Sequence, residues 1–285
     1  MGLRDILVIL DGSARDKSTL AVAVDLAQRH AAHLSALCPL EILYPDDLAF
    51  TLNGYPDQFV RPVLAERLEQ QAIQKAAIIE AGFREQLRRN GLEGDWQAAM
   101  GPADVLVARR AGTTDLVVIG QADPERPLPK AAGNLVEDVL MTSGRPLLLV
   151  PYAGCFIQVG RNAMIGWNGS REASRAVHDA LPLLQPAAKV TVLCVQHVSP
   201  GAALTELPTA EIAAHLARHG LAVTAARTVA DGISDADALL SYACDIGADL
   251  LVVGGYGHSR MRELILGGVT RALLQHMTLP VLISH

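Results

Sequence analysis

The sequence predicts an α/β fold built twice over, with a doubly wound, five-stranded parallel sheet flanked by helices in each half of the chain. Three observations point there. Half of the 285 residues are hydrophobic but only 4% are aromatic, so the core must come from Leu, Val, Ile and Ala, as in parallel strands covered by alanine-rich helices. The length suits two domains of about 100 to 150 residues, each able to bury its own core. A set of short apolar runs also recurs in the same order in both halves.

The stretch RDILVILDGSARDKSTLAVAVDLA (4–27), which holds the first of these runs, is answered by NAMIGWNGSREASRAVHDALPLL (162–184). Each reads as a strand, a tight turn and a helix. Asp11-Gly12-Ser13 and Asn168-Gly169-Ser170 close the strands, with glycine allowing the turn and Asp, Asn or Ser satisfying the free amides of a helix start. Second strands follow at HLSALCPL (33–40) and KVTVLCVQ (189–196), then weaker ones at DWQAAMG (95–101) and AVTAARTVA (222–230). TDLVVIG (114–120) matches ADLLVVGG (248–255), and GRPLLLVP (144–151) matches LPVLISH (279–285). Between them, apolar spacings of three and four predict helices over 64–91 and 235–247. The stretch 41–62, with three prolines and no helical period, predicts an irregular excursion; FIQVGRN (156–162) bridges the halves. The boundary falls between 1–152 and 153–285.

The net charge of −6 is mild and the basic residues are scattered, which argues against a nucleic-acid partner. No apolar run is long enough for a membrane span and no signal segment opens the chain, so a cytoplasmic protein is expected. Cys38, Cys155, Cys194 and Cys244 lack metal-site spacing and sit among aliphatics, predicting buried reduced thiols. His215 and His219, four apart on one helix, lack a third ligand in register and read as a solvated face, not a metal site. Ser13 and Ser170 lack the GxSxG context of a nucleophile and read as helix caps.

In an open parallel sheet, ligands gather outside the carboxyl ends of the strands where strand order reverses. That directs attention to the turns after strands one and four, WNGS and GGYGHS in the second half. Gly254 and Gly257 leave the strand-four exit bare for a ligand, and Gly267 opens a helix whose first amides, at Gly267, Gly268, Val269 and Thr270, make an anion site. The Thr270 hydroxyl, Ser259 and His258 are placed to approach the same anion. No Gly-Lys-Ser/Thr follows, and the motif sits on strand four instead of strand one, so neither a Walker A loop nor a GxGxxG fingerprint fits.

The G-x2-G-x9-G spacing after strand four, the DGS turn after strand one and the closing PVL strand resemble the universal stress protein family, and the repetition resembles a tandem member. The resemblance implies Rossmann-like, adenine nucleotide alpha hydrolase-like domains, some binding ATP or AMP, with Mg²⁺ as a possible companion. It implies a nucleotide-binding set of Gly166, Trp167, Asn168, Val195 (an adenine wall), Val253, Gly254, Gly257, His258, Ser259, Gly267, Gly268, Val269 and Thr270. Asn168 stands where that pattern has an acid, and Gly268 where it has Ser or Thr. The first half keeps the acid, Asp11, and the spacing at Gly120 and Gly133, but Asp123 replaces the middle glycine and Asn134 follows the last. A carboxylate ~4 Å from a phosphate costs up to ~4 kcal/mol at an effective dielectric of ~20. The first half is therefore expected not to bind ATP.

The expected function is a stress-response or regulatory protein that binds an adenine nucleotide in its C-terminal half without dedicated catalysis. The alternatives are an interaction module with empty pockets, or a weak ATPase. The resemblance also implies pairing through last strands, hence an internal pseudo-dimer of Leu147–Val150 with Val281–Ser284, and a homodimer of such chains.

Overall fold

Ten short apolar runs become ten strands, and the helices between them present alternate faces to one sheet. The computed structural model describes residues 2–40, 57–122, 135–156, 158–184, 189–196, 209–255 and 268–285, and of 57–64 the backbone alone. Among these residues the first half holds β1 (Asp5–Ile9), α1 (Asp16–His30), β2 (His33–Leu40), α2 (Asp57–Asn90), β3 (Trp96–Met100), α3 (Ala103–Ala111), β4 (Leu116–Gly120), α4 (Leu135–Ser143) and β5 (Leu147–Val150). The second holds β6 (Asn162–Gly166), α5 (Arg171–Ala180), β7 (Lys189–Gln196), α6 (Thr209–Arg218), β8 (Ala222–Val229), α7 (Asp235–Asp245), β9 (Leu250–Gly254), α8 (Gly268–His276) and β10 (Val281–Ser284).

All ten strands form one sheet in the order β3-β2-β1-β4-β5-β10-β9-β6-β7-β8. Read outward from the middle, both halves take the same strand order, parallel throughout. The halves meet where β5 and β10 run antiparallel, with Leu149 opposite Val281 and Leu147 opposite Ile283, the last-strand pairing that the family resemblance implied. Every residue of both strands is buried, so their pairing removes two apolar edges that would otherwise template aggregation.

The strands' period of two divides the core. Ile6 and Val8 face the layer of α1, α2, α5 and α6, whereas Leu7 and Ile9 face that of α3, α4, α7 and α8. In each half the strand-order reversal lies between the first and fourth strands, β1 with β4 and β6 with β9, and opens a crevice at their carboxyl ends.

Three local expectations change. Helix α2 already begins at Asp57, so the end of the 41–62 stretch is helical; residues 41–56 lie outside the described residues. All four cysteines are free, but only Cys38 and Cys194 are buried; Cys155 and Cys244 are exposed, being in the linker and on the outer side of α7. Ser170 caps α5 by accepting the Ala173 amide at 3.1 Å, whereas Ser13 does not cap α1, which starts later, behind Arg15.

Candidate nucleotide site and its filled counterpart

In the second half, β6 and β9 pair with Ile165 opposite Val252, which sets Trp167 level with Gly254 at the crevice. Gly169 takes φ 72°, and the Ser170 amide donates to Asn168 Oδ1 at 3.1 Å, so the asparagine builds the turn that Asp11 builds in the first half. Beyond it, Gly268 and Val269 begin α8 in the open. Among the described residues a Cβ on Gly268 would meet nothing within 4 Å, and the helix's first amides carry its positive end. Trp167 is half-buried, and its indole Nε1–H is buried without a hydrogen-bond partner among the described residues.

Other members of the expected set serve packing. A Cβ on Gly254 would overlap the backbone of Glu172 and Ala173, so this glycine admits the first turn of α5 and not a ligand, correcting its reading as a bare exit. Gly166 makes room for Val253 and Leu239 in the same way, and Val253 is buried. Val195 stands half-buried near the end of β7, packed toward the core beneath α7. Thr270 is 5% exposed, on the inner side of α8. Gly257, His258, Ser259 and Gly267 lie outside the described residues.

Sequence reading missed Glu172. It is buried beside Gly254, with its carboxylate 3.2 Å from Arg171. Burial pushes its carboxyl up, but its own backbone amide, Arg171 and Ser170 outweigh this and hold it below the usual carboxylate range. The start of α5 is therefore taken up by the chain's own acid, leaving the start of α8 as the anion-facing helix end of this crevice.

The matching crevice of the first half is filled by its own side chains. Arg15, at the position of Glu172, pairs with Asp11 and donates from Nη1 to the Gln121 carbonyl at 2.6 Å. It lies across Gly120, where a Cβ would come within 2.8 Å of Arg15 Cδ and 2.9 Å of Thr19 Oγ1. Gly12, at φ 76°, leaves space for Lys75 of α2. Asp16 accepts the Gly12 amide at 2.7 Å and the Asp11 amide at 3.2 Å. Burial, with the Asp11 charge, pushes the Asp16 carboxyl up to about 6. Burial alone would also raise Asp11, but Arg15 and the hydrogen bonds from Ser13 hold it below its usual value. Asp123, Gly133 and Asn134 lie outside the described residues, so the filling rests on Arg15 and Lys75, neither of which belongs to the glycine motif. The available signal was the Asp11/Arg15 spacing of four across the turn that leads into α1.

His215 and His219 gain a neighbour that sequence spacing does not show: His178 of α5, 5.3 Å from His215 between ring centroids, with His219 at 4.9 Å. Burial and the charges of His219, His178 and Arg218 hold His215 below its ordinary value. Among the described residues no group of three His, Cys, Asp or Glu is disposed to hold a metal ion. No helix among them is long and apolar enough to cross a membrane.

The Universal stress protein family model matches residues 161–285. Residues 161–285 thus match a universal stress protein family domain. A 46-residue stretch is 41% identical to universal stress protein Slr1230 of Synechocystis sp., covering 16% of this chain and 16% of that relative's length. A universal stress protein structure from Archaeoglobus fulgidus DSM 4304 is similar over 98% of this chain and 95% of its own, at 13% identity and a TM-score of 0.75. A protein of unknown function from Pseudomonas aeruginosa PAO1 is similar over 99% and 92%, at 15% identity and a TM-score of 0.54. At these identities the two structures bear on the fold alone, and they extend it across both halves. The universal stress protein domain thus contains the crevice between β6 and β9, the half-buried Trp167 and the open start of α8.

Proposed function

We propose that the protein is a stress-response or regulatory protein that binds ATP or AMP in its C-terminal half, without dedicated catalysis. In this reading residues 1–152 form a second domain of the same family that has given up its ligand. The observation that carries it is the contrast between two crevices at the same place in the same strand order. One is spanned by Arg15 and its carboxylate, while the other leaves the amides of α8 open at its mouth and, among the described residues, an indole N–H at the end of β6 without an acceptor.

The residues present fit a nucleotide. The α8 amides would hold a phosphate, and Trp167 offers an apolar face and a donor to the base or sugar. A bound Mg²⁺ would supply charge neutralisation to a triphosphate. Glu172 is a carboxylate at the crevice, but it is already engaged by Arg171. Four free thiols accord with a reducing, cytoplasmic setting, and the same proposal places the protein there as a homodimer of chains.

Mass spectrometry of co-purifying nucleotide, with calorimetric titration of ATP, ADP and AMP, tests the reading. Binding of one nucleotide per chain is expected, lost on Gly257→Asp. No binding at millimolar nucleotide refutes it.

A further inference from the structure

The C-terminal crevice is held from the other half of the molecule. Gln121, 4% exposed at the exit of β4, reaches across the β5–β10 seam to the end of α8. Its Nε2 donates to the carbonyls of Leu274 at 2.8 Å and Gln275 at 3.2 Å, both in the last turn of that helix, where carbonyls have no partners within the helix. Its Oε1 accepts the Tyr152 amide at 3.1 Å, its own amide donates to Val150 at 2.7 Å, and its carbonyl accepts Arg15 Nη1 at 2.6 Å. Every polar group of Gln121 is thus engaged, and a buried amide with no spare partner has one position. Through Arg15 and Asp11, the side chains filling the first crevice fix the residue that fixes α8.

The matching position in the second half is Gly255, where a Cβ would come within 2.9 Å of Leu140 Cδ2 on α4. The first half therefore touches the second half's anion site at two points, at the far end of α8 and at the start of the glycine loop. Helix α8 has nine residues, a rigid rod of roughly 13 Å. With Leu273 buried at its middle, the placement of its last turn sets the placement of its first amides.

Resting on the nucleotide reading, we infer that Gln121 is a positioning residue by which the N-terminal half sets the nucleotide affinity of the C-terminal half. The filled crevice then has a use: its internal Arg15–Asp11 pair does permanently what a bound ligand would do transiently, locking the β4 exit against its neighbour.

Gln121→Glu tests this. It keeps the shape and the Oε1 acceptor but removes the donor and sets a carboxylate against the negative end of α8. Gln121→Met removes the donor without adding charge, in case the glutamate variant fails to fold. Asp115→Asn is the control. It loosens the opposite end of the same half, where Asp115 Oδ2 accepts the Arg4 and Asp5 amides at 2.7 and 3.1 Å. Calorimetry with ATP is expected to show affinity falling at least about tenfold for Gln121→Glu and about threefold or more for Gln121→Met. Asp115→Asn should stay within about twofold of wild type. In nucleotide-free protein, amide exchange over residues 271–277 should quicken in both Gln121 variants. Wild-type affinity in either folded Gln121 variant, or an equal loss in Asp115→Asn, overturns the inference. A wild-type protein that does not bind ATP overturns both this and the functional reading, and is told apart because it needs no variant.

Discussion

Replacing Asp16 with asparagine probes the electrostatics of the filled crevice through the pH dependence of stability. In the folded chain, burial and the nearby Asp11 charge push the Asp16 carboxyl from 3.8 up to about 6. A carboxyl raised on folding contributes stability that is fully present below its unfolded value and lost as pH rises through its folded one. Wild type should therefore lose stability between about pH 4 and about pH 6 on this account. A shift of about two units corresponds to at most roughly 3 kcal/mol. Against it stand the two amides that Asp16 accepts, from Gly12 at 2.7 Å and Asp11 at 3.2 Å. Asparagine keeps one acceptor, and the lost bond costs about 1 kcal/mol. The variant should be more stable than wild type by about 2 kcal/mol above pH 7, and less stable by about 1 kcal/mol near pH 4. Urea denaturation of both proteins at half-unit intervals across this range reads the difference directly. If that difference stays flat within about 0.5 kcal/mol, Asp16 does not carry the buried charge assigned to it.

The two turns should respond differently to loss of their serines. Ser170→Ala removes a cap on α5 and is expected to cost about 1 kcal/mol, whereas Ser13→Ala, which removes no cap, should cost under about 0.5 kcal/mol by the same denaturation assay. Gly254→Ala drives a methyl into the backbone of Glu172 and Ala173; a loss of about 2–3 kcal/mol in thermal or chemical unfolding is expected without any ligand present. An unchanged melting temperature would return Gly254 to the role of a bare ligand approach.

Much of the architecture was legible because each half repeats a pattern that local physics reads strongly. The mostly apolar runs at β2 and β7 appear in the structure with the boundaries seen in the sequence, since their central residues are buried in the sheet. The turns at Gly12 and Gly169 were legible for a related reason: both require positive φ, and glycine announces that need. The start of α1 was not, because Ser13 and Ser170 are the same residue in the same local pattern. What separates them is Asp16, which folds back onto the Asp11 and Gly12 amides and delays the helix.

The site divides along the same line. Residue types and spacing determined where to look: the exits of the first and fourth strands, with glycines in the second half and an acid-bearing turn in the first. Only the tertiary structure decided what each residue does there. Gly254 is bare because a helix start presses on it, and Thr270 is buried. Arg15 crosses one crevice while Glu172, at the matching place, folds back on its own helix. Gln121 had no sequence signal, since its partners on α8 are more than 150 positions away. A chain's pattern records which groups must be buried or must turn. Which buried group meets which is fixed by how the two halves of the sheet join, and that pairing of β5 with β10 brings Gln121 to α8.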